Sequence, residues 1–132
     1  KGNVNYKNNI NVSYLGHKNA LKSYLSVYDN LMLQELNNHK ELNILLERLE
    51  LKNFLDVTVG NLSYGQQKKL AMLRVFLNES NLMVLDEPFV GLDSKAFDFV
   101  QDFLIKEINS DKSLIFTSHI DCNIESKILN LR

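Results

Sequence analysis

Leu82-Met83-Val84-Leu85-Asp86-Glu87-Pro88 is the stretch on which the fold turns. Four apolar residues, preceded by Asn81 and stopped by two carboxylates and a proline, read as a short strand buried on both faces. Such a strand belongs to a parallel sheet covered by helices, and open sheets of that kind bind ligands at the carboxyl edge of their strands. Asp86 and Glu87 stand at that edge. The first acid is suited to a partly hydrated Mg²⁺, which takes oxygen ligands. The second is suited to orienting and polarising a water that attacks a phosphate. An acidic turn after a strand is an equally ordinary structural feature, so the pair decides nothing without company.

The company lies on both sides. Upstream, Leu62-Ser63-Tyr64-Gly65-Gln66-Gln67 opens a helix: Ser63 as N-cap with Gln66 three residues on is a capping box. Leu70, Leu73 and Leu77 then fall on one side of the helix. Its N-terminus presents free N–H groups and the positive dipole end, and Gly65 allows close backbone approach, so this end suits an anion as well as an ordinary cap. Downstream, Asp93 is a plausible N-cap for a second helix with apolar positions Ala96, Phe97, Val100, Phe103, Leu104 and Ile108 at the 3.6 period. Ser113-Leu114-Ile115-Phe116-Thr117-Ser118 follows as another strand read as buried on both faces, stopping at His119. Strands alternating with helices predict an α/β fold with a mostly parallel sheet.

The region before Leu62 is less regular. Val4, Tyr6, Ile10, Val12 and Tyr14 alternate with polar residues and predict two short strands and a turn. Residues His17–Asp56 read as mostly helical, with the best helix over Lys40–Phe54, where Leu42, Leu45, Leu46, Leu49 and Phe54 share a face.

Composition narrows the function. Hydrophobic residues at 45% of 132 fit a core-forming chain rather than a disordered one. With 15 basic and 16 acidic residues there is no basic excess, so no nucleic acid partner is expected. The pair Lys68-Lys69 reads as a solvated helix face. Cys122 stands alone, with neither a disulfide partner nor a zinc pattern. No apolar run approaches the roughly 20 residues of a membrane span. Abundant asparagine and lysine, whose codons are AT-rich, point to a low-GC genome such as that of an organelle or endosymbiont.

In order and spacing, these elements resemble the ATP-binding cassette (ABC) family. Its signature L-S-G-G-Q falls on Leu62 through Gln66, its Walker B strand on Leu82 through Glu87, its D-loop on Gly91-Leu92-Asp93 and its switch histidine on His119. Tyr64 departs from the small residue usual there. The resemblance implies a partial P-loop NTPase domain whose substrate is ATP with Mg²⁺. Ser63, Gly65 and Gln66 would be nucleotide-binding, Asp86 would serve the metal, Glu87 would be the general base, His119 would contact the γ-phosphate and Asp93 would lie at a dimer seam. A narrower likeness, in Tyr14-Leu15-Gly16-His17, Leu21-Lys22 and Asp29-Asn30-Leu31, is to ATP-binding subunits of haem exporters in cytochrome c maturation. It puts His17 at the position of the metal-facing Q-loop residue.

The family's phosphate loop, G-x-x-x-x-G-K-[ST], occurs nowhere in the sequence. Residues 1–132 are therefore read as a single incomplete ABC ATPase domain, with 17–60 a helical subdomain and 61–132 the signature, Walker B, D-loop and switch part. Implied partners are transmembrane permease subunits, a second ABC ATPase domain and a segment or chain carrying the Walker A loop. The implied place is peripheral, on the cytoplasmic or mitochondrial-matrix face of an inner membrane. The chain is then a fragment, one product of a split gene, or a Walker-A-less remnant serving as a non-catalytic structural subunit. The first two are parts of an ATPase; alone, the 132 residues are expected to be inactive.

Overall fold

The protein is seen in a computed structural model that describes residues 9–128. Three parallel strands form the sheet: β1 (Val12–Leu15), β2 (Leu82–Asp86) and β3 (Ser113–Thr117), in the order β1-β2-β3. Leu15 pairs with Leu85 and Leu85 with Phe116, so the carboxyl ends of all three strands lie at one edge. Four α-helices accompany them: α1 (Val27–Leu33), α2 (Leu42–Arg48), α3 (Tyr64–Leu77) and α4 (Ser94–Ile108).

The two helices that flank β2 in sequence start where the capping residues say. Ser63 Oγ accepts the Gln66 N–H while the Gln66 side chain accepts the Ser63 N–H. Asp93 caps α4 through the Ala96 N–H. α3 packs on β1 and α4 on β3, closing a core that includes Leu15, Met83, Leu85, Leu70, Leu73 and Leu104. Helix α3 is buried nearly all round its second and third turns, as expected of a helix between a sheet and a further layer; α2 supplies that layer.

The sequence reading differs from the structure in four places. Residues 17–56 are not mostly helical: they hold α1, α2 and a short 3₁₀ turn, Lys52–Phe54, joined by loops. The helix expected over Lys40–Phe54 stops at Arg48, because Glu50 turns left-handed (φ 60°) and the Leu51 N–H reaches back to the Leu46 carbonyl at 2.8 Å. That is a Schellman closure with glutamate where glycine is usual. Only Val12–Leu15 of the two expected N-terminal strands is seen; Val4 and Tyr6 lie outside the described residues.

The fourth difference matters most. β2 and β3 are buried on one face only. Met83 and Leu85 are buried and Leu114 and Phe116 half-buried toward the helices. The alternate residues are more open: Leu82 and Val84 are half-buried and Ile115 is 57% exposed, and in the neighbouring β1 Val12 and Tyr14 are 52% and 60% exposed. The outer edge of β3 also has no strand beside it among the described residues. The apolar sequence of both strands is that of a sheet covered on two sides, and the described residues cover one.

Candidate functional site

At the carboxyl edge of the sheet the structure gathers Asp86, Glu87, Thr117 and His119. The hydroxyl of Thr117, at the end of β3, donates to Asp86 Oδ1 at 2.7 Å and accepts the Glu87 N–H at 3.0 Å. Glu87 has a left-handed backbone, φ 49°, uncommon for a residue with a Cβ. This turns its carboxylate onto the loop after β3. Glu87 Oε2 accepts the His119 N–H at 3.2 Å, and Oε1 lies 3.3 Å from His119 Nε2. The Glu87 side chain is largely buried and the His119 ring almost fully exposed, so the pair opens to solvent on the histidine side.

Lys68 reaches this cluster from below. It is 1% exposed, and its ammonium donates to the Asp86 main-chain oxygen at 3.4 Å. Burial pushes its pKa down, and the charges of Asp86 and Glu87 partly oppose that.

A second group forms an open cleft lined by Glu50, Ser63, Tyr64, Gly65, Gln66, Lys69, Gly91 and Asp93. Two glycines let its walls meet. A Cβ on Gly65 would fall 2.4 Å from the Gly91 carbonyl oxygen, and one on Gly91 (φ 80°) would fall 2.5 Å from the Tyr64 ring. Tyr64 thus lies against the Gly91 backbone, half exposed. Lys69 Nζ pairs with Asp93 Oδ2 at 2.6 Å, the lysine side chain 9% exposed and the aspartate 54%. This hydrogen bond, with that from the Ala96 N–H, holds the Asp93 carboxyl below its usual range. Lys95 and Glu50 pair on the surface beside it.

The sequence-predicted residues therefore fall into two clusters: Asp86, Glu87 and His119 in one, Ser63, Gly65, Gln66 and Asp93 in the other. His17 follows β1 at the same sheet edge as Asp86, with its side chain exposed and no hydrogen bond to either cluster among the described residues. Thr117 was not singled out by the sequence, and Lys68-Lys69 is not the solvated pair expected: both are buried, one serving each cluster. The signal for them is position. In the second turn of a helix capped at Ser63, side chains lean back toward the N-terminus, where the acids of the sheet edge wait.

Comparison with known proteins agrees with this architecture. The family model described as ABC transporter matches residues 3–90. A cytochrome c biogenesis ATP-binding export protein from Nitrosococcus oceani is 35% identical over 115 residues, covering 86% of this chain and 53% of the relative. One from Idiomarina loihiensis is 34% identical, covering 80% and 50%. An uncharacterized ABC transporter ATP-binding protein from Bacillus subtilis is 30% identical, covering 97% and 45%. The chain thus spans about half the length of the curated relatives it matches. Among solved structures, an ATP-binding subunit of an ABC transporter superposes with a TM-score of 0.70 at 23% identity, covering 83% of this chain and 48% of that one. A dimeric ATP-binding cassette in a post-hydrolysis state, bound to ADP and Pi, gives 0.67 at 22%, covering 83% and 52%. Strand order, capped signature helix, paired acids and sequence converge: the chain belongs to the ABC transporter family and carries a partial P-loop NTPase fold.

Proposed function

We propose that this chain is the signature-bearing and acid-bearing part of an ATP-hydrolysing subunit of an ABC transporter, of the haem-exporter type used in cytochrome c biogenesis. The observation that carries the reading is the cluster Asp86–Thr117–Glu87–His119 at the carboxyl edge of an open parallel sheet. Asp86 suits Mg²⁺: one carboxylate oxygen takes the Thr117 hydroxyl and the other is left without a hydrogen bond among the described residues. Bound there, Mg²⁺ would neutralise charge on the β- and γ-phosphates. Glu87 has one face toward His119 and a backbone that lifts it off the strand, the placement required to hold and polarise a water. His119, exposed beside it, would exchange its ring contact with Glu87 for a phosphate oxygen. Ser63, Gly65 and Gln66 present the N-terminus of α3 at a cleft open to a second ATPase domain.

The remaining parts follow from what the fold leaves bare. The uncovered apolar face of Val12, Tyr14 and Ile115 and the free edge of β3 support a further segment, upstream or on another chain, that adds a strand there and brings the phosphate loop to Asp86. Residues 17–60, the helical subdomain, expose Tyr24, Tyr28, Met32, Leu33 and Ile44, a surface suited to a transmembrane permease subunit. No helix of the described residues is long and apolar enough to cross a membrane. Bound to its permease, the ATPase subunit would sit peripherally on the cytoplasmic or mitochondrial-matrix face of an inner membrane. The narrower reading is supported by relatives that are cytochrome c biogenesis ATP-binding export proteins.

The test is Glu87→Gln in the assembled complex. The amide keeps the acceptor for the His119 N–H and loses the basic oxygen, so turnover falls about 10²–10⁴-fold while ATP binding is retained. Normal turnover in the variant would overturn the assignment, and absence of turnover in every wild-type assembly would leave the structural-subunit reading standing instead.

A further inference from the structure

The carbonyl that Lys68 touches and the N–H that Thr117 receives belong to the same peptide, the one joining Asp86 to Glu87. One polar end is held from the helix side of the sheet, the other from the neighbouring strand. This plane precedes the φ torsion of Glu87, which stands at 49°. Were the plane to rotate, φ would relax toward the ordinary negative range and the carboxylate would leave the His119 N–H that it accepts at 3.2 Å. Lys68 sits where a leucine or methionine would fill the core at far lower desolvation cost, since it is 1% exposed on a helix that is buried around it. Its burial is compensated by the carbonyl and by the two carboxylates near it. A buried charge at that location has a specific object.

We propose that Lys68 is a positioning residue for the Asp86–Glu87 pair: its ammonium and the Thr117 hydroxyl clamp the two ends of one peptide plane and so keep the Glu87 carboxylate on His119. The consequence for turnover rests on the reading of Glu87 as the base; the clamp itself does not. Lys68 is assigned here to the backbone that it holds, through the Asp86 carbonyl.

The experiment is residue-resolved amide hydrogen exchange on the full chain, comparing wild type with Lys68→Met, Lys68→Gln and Lys68→Arg. Lys68→Met should raise exchange of the Glu87 amide about tenfold or more relative to Leu15 in β1 and Val100 in α4, with Lys68→Arg restoring most of the protection. If Lys68→Met does not fold, the comparison of Gln with Arg carries the same contrast, since Gln is too short to reach the carbonyl in place. Unchanged exchange at Glu87, or a rise shared equally by all amides, overturns the clamp. In the assembled ATPase, Lys68→Met should lower kcat about 10- to 100-fold with KM for MgATP nearly unchanged, and Lys68→Arg should recover it. A wild-type assembly without turnover refutes the ATPase reading while the exchange data still decide on the clamp. A working wild-type enzyme indifferent to Lys68→Met refutes the clamp alone.

Discussion

Replacing Asp93 separates two interactions that share one carboxylate. Oδ1 caps α4 through the Ala96 N–H at 2.9 Å, and Oδ2 pairs with the buried Lys69 ammonium at 2.6 Å. Losing an N-cap costs about 1 kcal/mol. The ion pair lies between the two usual cases, because Lys69 is 9% exposed and Asp93 54%: about 0.2–1 kcal/mol for exposed pairs and 3–5 for buried ones when one partner is removed. Stranding the lysine should therefore cost about 1–2 kcal/mol. Asp93→Asn keeps the cap and strands Lys69, so about 1–2 kcal/mol is expected; Asp93→Ala loses both, about 2–3 kcal/mol. Lys69→Met should be milder than either, since the half-exposed Asp93 regains water and an apolar chain fills the lysine's place. Urea unfolding followed by circular dichroism at neutral pH gives all three. The acid limb adds a check on sign. The folded-state pKa of Asp93 is depressed, first by Lys69 and then by the Ala96 N–H, so its contribution is present above about pH 3.9 and disappears as pH falls through the lower folded value. The gap between wild type and Asp93→Asn should close in that acid window. If Lys69→Met proved as destabilising as Asp93→Ala, or Asp93→Asn cost nothing, the pair would not be what holds this loop to α3.

Two more outcomes follow from the geometry. The chain alone should bind MgATP weakly or not at all, since these residues include no phosphate loop; sub-millimolar binding in calorimetry would refute that reading. Gly91→Ala should destabilise by about 1–3 kcal/mol, because the residue is left-handed and its Cβ would strike the Tyr64 ring; adding Tyr64→Ala should recover part of that loss in the same unfolding assay, and no recovery would mean the ring is not the obstacle.

The parts legible in the sequence are those written in local chemistry. Ser63 with Gln66, and Asp93, announce helix starts because a short polar side chain accepting an N–H is a local bond, and the structure keeps both. β2 and β3 were legible for the same reason, an apolar run cut off by polar residues. Helix ends were not. α1, α2 and α4 are followed by left-handed Glu35, Glu50 and Asp111, and no glycine marks those turns. In α1 and α2 the next residue, Leu36 or Leu51, is buried as its N–H closes the helix. Burying that leucine offsets the roughly 1–2 kcal/mol that a left-handed Cβ costs, a tertiary effect invisible to a local pattern. Lys68 and Lys69 were misread for a related reason: two adjacent lysines look solvated until the acids they answer, 18 and 24 residues downstream, are brought to them by the fold.

That pair also says how the two clusters of the site are related. Ser63, Lys68 and Lys69 ride on one helix that is buried nearly all round. The rise from Ser63 to Lys68 is about 7.5 Å, and consecutive residues diverge by about 100° around the axis. Neighbouring lysines therefore cannot serve the same target. One goes to the peptide between Asp86 and Glu87, the other to the carboxylate that caps α4. The helix whose N-terminus faces the open cleft is in this way tied at its second turn both to the acids at the sheet edge and to the loop of Gly91 and Asp93. Because a close-packed interior transmits strain, a shift of Ser63 would be felt at both ties. The capped turn at Ser63, the acids and the Asp93 loop are three parts of one body, held by two buried lysines.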